Sequence, residues 1–372
     1  MPLAIELDSI PPGAAFTAAT NRRRKVAGWW KRLSRWEFWP PYLFYPPVVA
    51  YVAYLGIRFR SWTLFTAANP AIPAGGFVGE SKHQILDQLK DAAALLPCSI
   101  LLADGVPDER IAGAEAFMRQ HGLQFPVVLK PDAGQRGSGV AIIRSPEQLR
   151  EYLTRSSFPA ILQEYVPGEE YGVFYYRYPG SERGRIFSVT EKRMPALIGD
   201  GKQTLEELIF ADDRAVCMAD FYLDKNSERI HEIPASGAKV QLVEIGTHCR
   251  GAIFLDGGET ITPALEAVID RAAKSFNGFF FGRFDVRVPS RQEFMAGRNI
   301  KIVELNGVTS EATHIYDPRF SLFDAYSVLF RQWRIAFEIG NLNYRRGTRP
   351  ASVSELINAA RQYSRLSQSY PE

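Results

Sequence analysis

The sequence predicts a mixed α/β fold of the α+β type, and three observations carry that prediction. From about residue 61 onward, short apolar runs bounded by turn residues alternate with stretches of helical periodicity. One such run, Phe125-Pro126-Val127-Val128-Leu129-Lys130-Pro131, passes into a glycine-rich loop that leads straight to a further strand-like run, Ala141-Ile142-Ile143. Two late runs, Phe284-Asp285-Val286 and Ile302-Val303-Glu304-Leu305, each enclose an acidic residue. Burying a carboxylate is costly unless its charge is compensated, so these strands imply a cationic partner.

Residues 1–60 read as an arm. Pro11-Pro12-Gly13 and scattered alanines mark a loose start. Arg22, Arg23, Arg24, Lys25, Lys31, Arg32 and Arg35 then follow, with Trp29, Trp30 and Trp36 among them and no acid between. A cationic, Trp-rich segment favours an anionic membrane surface, although the same pattern also stacks on single-stranded nucleic acid. Residues 40–57 are uncharged, and Pro40-Pro41 and Pro46-Pro47 interrupt any continuous helix. The expectation is a peripheral, monotopic or re-entrant membrane contact through residues 22–62. The alternative is an apolar arm packed on the catalytic body or on a second subunit.

Residues 61–124 are expected to form a small N-terminal α/β domain. Its strands are placed at 62–68 and 98–103. Its helices are placed at 77–89 and 108–121, the second opened by Pro107-Asp108 and closed by Gly122. Gly79-Glu80-Ser81-Lys82 enters a helix, so Ser81 is read as its N-cap or as part of an anion-receiving turn. Residues 125–190 read as a strand-rich lid and residues 191–340 as a catalytic and metal-binding subdomain. A basic linker and helix occupy residues 341–372.

Composition narrows the class. With 46% hydrophobic and 23% charged residues, the chain is globular and long enough for two or three domains. A net charge of +3 implies no general attraction to nucleic acid. Cys98, Cys217 and Cys249 give neither zinc spacing nor a disulfide framework, which favours a reducing, cytoplasmic setting. No cleavable secretory signal opens the sequence.

The motifs point to a nucleotide. Lys130 ends a buried strand, and Gly134, Gln135, Arg136, Gly137, Ser138 and Gly139 follow it. Backbone amides of such a loop can close over phosphate oxygens while the lysine adds a point charge. The spacing is neither a Walker loop nor a dinucleotide fingerprint. Backbone groups at Glu164, Tyr165 and Val166 are placed to pair with an adenine edge, with Glu170 for ribose hydroxyls. Asp285, Glu304 and Asn306 form an all-oxygen set suited to Mg²⁺, which commonly takes one or two carboxylates plus substrate phosphates.

In order and spacing these pieces resemble the ATP-grasp superfamily, of the carboxylate–amine ligase type. Residues 196–209 and 233–242 are similar to the ligase part of cyanophycin synthetase, and the whole resembles D-alanine–D-alanine ligase-like enzymes. The resemblance covers roughly residues 60–330 and implies an ATP-grasp fold. It implies an ATP-dependent ligase that activates a carboxylate as an acyl phosphate for attack by an amine, releasing ADP and phosphate. Arg283, Arg250 and Lys130 are the implied catalytic residues, with ATP and Mg²⁺ as cofactors and Mn²⁺ as a substitute. A departure occurs at residues 246–254, where His248 and Arg250 stand on the implied acceptor side. Thr309, Ser310 and Thr313 are candidate substrate donors, or else part of a loop in which Ser310-Glu311 or Asp317-Pro318 starts a helix. The expected partners are small-molecule or lipid-linked carboxylates and amines, and the resembling ligases are often dimers. Two other readings share the pocket: a phosphotransferase of the ATP-grasp type, and a membrane-associated nucleotide-binding protein without ligase activity.

Overall fold

Antiparallel pairing, rather than parallel crossover, organises the chain. The computed structural model describes residues 31–32, 34–134, 137–244, 246, 251–368 and 370. The chain divides into residues 1–44 with 194–253, and residues 45–193 with 254–372. The second and larger unit contains two sheets. The first has β1 (Ser99–Leu102), β2 (Val127–Pro131), β3 (Ala141–Ile143) and β4 (Ala160–Glu164), in the order β1-β4-β2-β3. The other has β5 (Glu169–Tyr176), β6 (Arg185–Arg193), β9 (Ile253–Asp256), β10 (Phe281–Val288) and β11 (Lys301–Asn306), in the order β11-β10-β5-β6-β9.

Each sheet packs against helices, the larger one on both faces. Leu102, Val127, Leu129 and Leu162 of the first sheet pack with Ile111 and Met118 of the Pro107–His121 helix, and with Leu149 and Leu153 of the Pro146–Arg155 helix. Ser145 caps the second of these by accepting from the Gln148 amide, and Gly122 ends the first in the left-handed conformation. On the larger sheet, Val173, Val189, Phe284, Val286 and Ile302 share a core with Leu265 and Ile269 of the Pro263–Ser275 helix. Strand residues alternate between faces, so Arg283, Asp285 and Arg287 lie opposite that core. Fully buried Asn69 joins a preceding loop to β10, accepting from the Phe280 and Phe281 amides and donating to Phe281 O.

The smaller unit pairs β7 (Ala196–Ile198) with β8 (Lys239–Gln241). Its core gathers Phe38, Leu205, Ile209, Val216, Tyr222 and Leu242. Thr204 and Glu207 form a capping box on the Leu205–Ala211 helix.

Three sequence expectations are corrected. Residues 62–68 do not form a strand: Leu64–Ala68 is a 3₁₀ helix with all five residues buried, and an apolar run buried on every side carries no period to separate strand from helix. The helix expected over 77–89 contracts to Lys82–Asp87, followed by a 3₁₀ segment, Lys90–Leu95. The membrane contact expected of residues 40–57 is corrected toward the alternative of an arm packed on the body, while residues 22–30 lie outside the described residues. Among the described residues no helix is long and apolar enough to cross a membrane. Pro46 and Pro47 start the Pro46–Arg58 helix instead of breaking one, and this helix packs on Leu322–Arg345. Leu55 is buried with Leu64, Ile335 and Ala336, and Tyr51 stacks on Phe330 at 4.4 Å between ring centroids. The described part of the basic segment likewise turns to protein within the smaller unit: Lys31 pairs with Asp213 and Trp36 stacks on Phe44.

Candidate functional site

The site is built on the face of the larger sheet opposite the Leu265–Ile269 core, and its anchor is a cross-strand pair. Register places Asp285 of β10 directly opposite Glu304 of β11, with Arg283 opposite Asn306. Two carboxylates facing one another across a ladder repel, and here cations from four elements offset that cost. Arg283 donates from Nε to Asp285 Oδ1 at 2.9 Å and from NH2 to Oδ2 at 3.2 Å. Lys192 of β6 lies 3.3 Å from Asp285 Oδ1 and 2.8 Å from Glu170 Oε1. Lys82, at the start of its short helix, reaches Glu304 Oε1 at 2.8 Å and also donates to Gly134 O. Lys130 of β2 donates to Val303 O at 2.9 Å and to Gln163 Oε1 at 3.0 Å.

Burial and charge set the protonation states. Burial opposes the charge on Asp285, but Arg283 and Lys192 overcome it and hold the carboxyl at about 2. Burial likewise opposes charge on Glu304, and Lys82 outweighs it, keeping the pKa below the ordinary glutamate value. Lys82 is disfavoured by burial yet raised overall by Glu304. Lys130 goes the other way: burial pushes it down to about 8, despite Glu304 nearby.

Gly172 of β5 makes room for this arrangement. A Cβ there would lie 3.2 Å from Arg283 Cδ and 3.4 Å from Asp285 Oδ1. Two polar atoms beside the site are buried without a protein partner, Gln163 Nε2 and Glu80 Oε2. Such orphans are costly and call for a bound group or water. Burial pushes the Glu80 carboxyl up.

The donor set fits a magnesium ion. Among the described residues no three His, Cys, Asp or Glu side chains form a metal-binding group. The set here is instead two facing carboxylates and an amide, with Asn306 Nδ2 donating to Asp285 Oδ2 at 3.4 Å. Its carboxylate and amide oxygens are of the kind Mg²⁺ takes, which commonly binds one or two carboxylates together with phosphate and water oxygens.

Sequence-derived candidates meet here unevenly. Lys130, Glu170, Arg283, Asp285, Glu304 and Asn306 are joined by the contacts above. Gly134 is held by Lys82, Gly137 and Gly139 take left-handed conformations, and Gly139 O accepts from the Tyr152 hydroxyl at 2.6 Å. Ser138 sits half-buried between those two glycines. The Glu164 carboxylate accepts from the Cys98 amide at 3.0 Å, Tyr165 lies under the Arg287 guanidinium, and Val166 is half-buried at the end of this stretch. Gln135, Arg136, His248 and Arg250 lie outside the described residues. Thr309 donates to Phe77 O, in the segment before the Lys82 helix, and Ser310 to Gly307 O within its own turn, so both hydroxyls are engaged by backbone carbonyls. Thr313 donates to Thr190 Oγ1 at 3.1 Å. Neither Ser310 nor Asp317 starts an α-helix: Ser321 does, with Asp324 completing a capping box.

Two site residues escaped sequence reasoning. Lys192 sits in Glu191-Lys192-Arg193, which reads as a solvated strand end. Its signal was the two-residue polar period Ser188, Thr190, Lys192 along β6. Lys82 was passed over as part of a capping turn, and Ser81 does cap that helix by accepting from the Gln84 amide at 3.1 Å.

No protein-family model matches the chain. A pyruvate carboxylase of Schizosaccharomyces pombe is 29% identical over 140 residues, covering 32% of this chain and 12% of that protein. The glutathione biosynthesis bifunctional protein GshAB of Streptococcus agalactiae is 22% identical over 205 residues, 49% of this chain and 26% of that protein. The chain therefore matches well under half the length of each. A bifunctional glutathione synthetase from Pasteurella multocida superposes with TM-score 0.37 at 16% identity, over 67% of this chain and 36% of that one. D-alanine–D-alanine ligase from Bacillus anthracis gives 0.39 at 14% identity, over 72% and 68%. Superpositions of this extent leave the assignment to other observations. Four motifs in one order, carried by the two sheets described above, and the partial sequence likeness to GshAB are the points at which this chain resembles the ATP-grasp superfamily.

Proposed function

We propose that this chain is an ATP-dependent ligase that activates a carboxylate as an acyl phosphate and passes it to an amine, releasing ADP and phosphate. One observation carries the reading: Lys82, Lys130, Lys192 and Arg283 surround the facing carboxylates Asp285 and Glu304. Phosphoryl transfer needs charge neutralisation and placement more than covalent help from the protein, and these groups supply both. The likeness to GshAB, a glutathione biosynthesis protein, points in the same direction.

Asp285, Glu304 and Asn306 would hold Mg²⁺, which when bound neutralises phosphate oxygens and fixes their orientation. Lys130 would bring positive charge from β2 to the phosphates. Arg283, anchored by Asp285 and by Glu311 O at 2.9 Å, would face the transferred group. Glu170 would be freed from Lys192 to accept ribose hydroxyls. His248 and Arg250 are proposed for the acceptor side.

The test is mass spectrometry of a metabolite extract incubated with Mg²⁺–ATP and either the wild-type protein or Glu304→Gln. A condensation product formed with ADP by the wild type alone establishes the ligase. A phosphorylated product reassigns the chain as a phosphotransferase. Full activity in Glu304→Gln removes the metal assignment.

A further inference from the structure

Three successive carbonyls on the near shoulder of the glycine loop are held from outside it. Asp132 O accepts from the Lys82 amide at 3.0 Å, Ala133 O from the Tyr370 hydroxyl, and Gly134 O from Lys82 Nζ. The Lys82 contacts belong to the site already described. Tyr370 does not: it follows the Val353–Ser367 helix, far along the sequence from both sheets.

Its ring is firmly seated. Tyr370 is 9% exposed and packs with Phe158 and Ala160, meeting Phe158 edge-on at 4.8 Å between centroids. Phe158 in turn meets the ring of Tyr152 edge-on at 6.4 Å. Tyr152 donates to Gly139 O, on the far shoulder of the loop. One aromatic row, Tyr370–Phe158–Tyr152, thus grips the loop on both sides. The helix before Tyr370 is docked nearby, since a Cβ on Gly79 would lie 3.5 Å from Tyr363 Cβ.

A glycine-rich loop loses much backbone entropy on ordering, and a binding loop with few anchors opens at low free energy. We propose that Tyr370 is a positioning residue for the phosphate-covering loop, holding Ala133 so that the 132–134 shoulder is set before nucleotide arrives. This rests on the nucleotide reading above, but the restraint itself exists without ligand. It acts through Ala133 and touches no reacting atom. Ordering in advance improves affinity by reducing what binding must spend on the loop.

The experiment compares the full wild-type chain with Tyr370→Phe, which keeps the ring and deletes the hydroxyl. Amide hydrogen exchange is followed without nucleotide, and Mg²⁺–ATP kinetics are then measured. Loss of one buried hydrogen bond should speed exchange at 132–134 by roughly three- to tenfold, leaving β5 and β10 unchanged. The KM for ATP should rise several-fold with kcat nearly kept. Tyr152→Phe should move exchange at the Gly139 shoulder instead. Unchanged loop exchange in Tyr370→Phe overturns the proposal, and so does faster exchange throughout the unit, which marks a structural role only. If loop exchange responds but the wild type binds no ATP, the restraint stands and the nucleotide reading fails.

Discussion

Lys130 is a buried ammonium that its surroundings only partly compensate. It has two neutral oxygen partners, Val303 O and Gln163 Oε1, and burial brings its pKa down to about 8. The group is charged below that pH and neutral above it. If its charge serves nucleotide phosphates, affinity should be flat up to about pH 7 and weaken above pH 8. The limiting slope is about tenfold per pH unit for one linked proton. Titration calorimetry with Mg²⁺–ATP between pH 6.5 and 9.5 measures this slope directly. A Lys130→Arg variant that still binds should lose the pH dependence, because arginine stays charged throughout. A flat profile in the wild type would remove Lys130 from the phosphate site. Asp285 does not interfere, since its carboxyl is held at about 2 by Arg283 and Lys192 against the effect of burial.

Strands β5 and β10 carry two glycines whose replacement should separate folding from function. At Gly282 a Cβ would lie 2.2 Å from Asn306 O, a backbone atom of β11. Gly282→Ala must therefore push two paired strands apart, and a loss of about 2–3 kcal/mol is expected. At Gly172 the added atom would meet the Arg283 side chain and the Asp285 carboxylate. Gly172→Ala should change stability by less than about 1 kcal/mol, because alanine suits a strand better than glycine, while weakening Mg²⁺–ATP binding by tenfold or more. Urea unfolding and calorimetry on both variants decide the matter; equal destabilisation would show that Gly172 has only a packing role. This contrast also explains what could be read in advance. A carboxylate within an apolar run announces itself, so Asp285 and Glu304 were found as residues. Their facing register was not, because it depends on which strands pair. Nor was the destination of β1: the run at 98–103 was read correctly as a strand, yet it pairs with β4 beside the lid strands. Lys192 stayed hidden because its partners, Glu170 and Asp285, are brought to it only by strand pairing. The apolar stretch 40–57 misled for a related reason: an apolar helix face is the same whether lipid or the Leu322–Arg345 helix covers it.

At the scale of the molecule, ligand linkage provides a test that needs no substrate. The facing carboxylates and their four cations all belong to the unit of residues 45–193 and 254–372. A ligand that binds only folded protein stabilises it by about 2.7 kcal/mol at one hundred times its dissociation constant. For a unit of this size that corresponds to a rise of roughly 5–10 °C in its melting temperature. Mg²⁺–ATP should therefore raise the transition of the larger unit and slow exchange in β2, β5, β10 and β11. A chain of two units need not melt in one step, so exchange mapping is needed to assign the shift. Asp285→Asn should lose most of the Mg²⁺-dependent part, because the amide cannot supply the carboxylate's charge. It also leaves Arg283 and Lys192 without their anionic partner, so its own melting temperature must be measured first as the baseline. ATP without Mg²⁺ separates the remaining contributions: a shift that persists belongs to Lys82, Lys130 and the loop, and the increment added by Mg²⁺ belongs to the carboxylates. If Mg²⁺ adds nothing in the wild type, the facing pair is a structural ion cluster, and the ligase reading loses the observation that carries it.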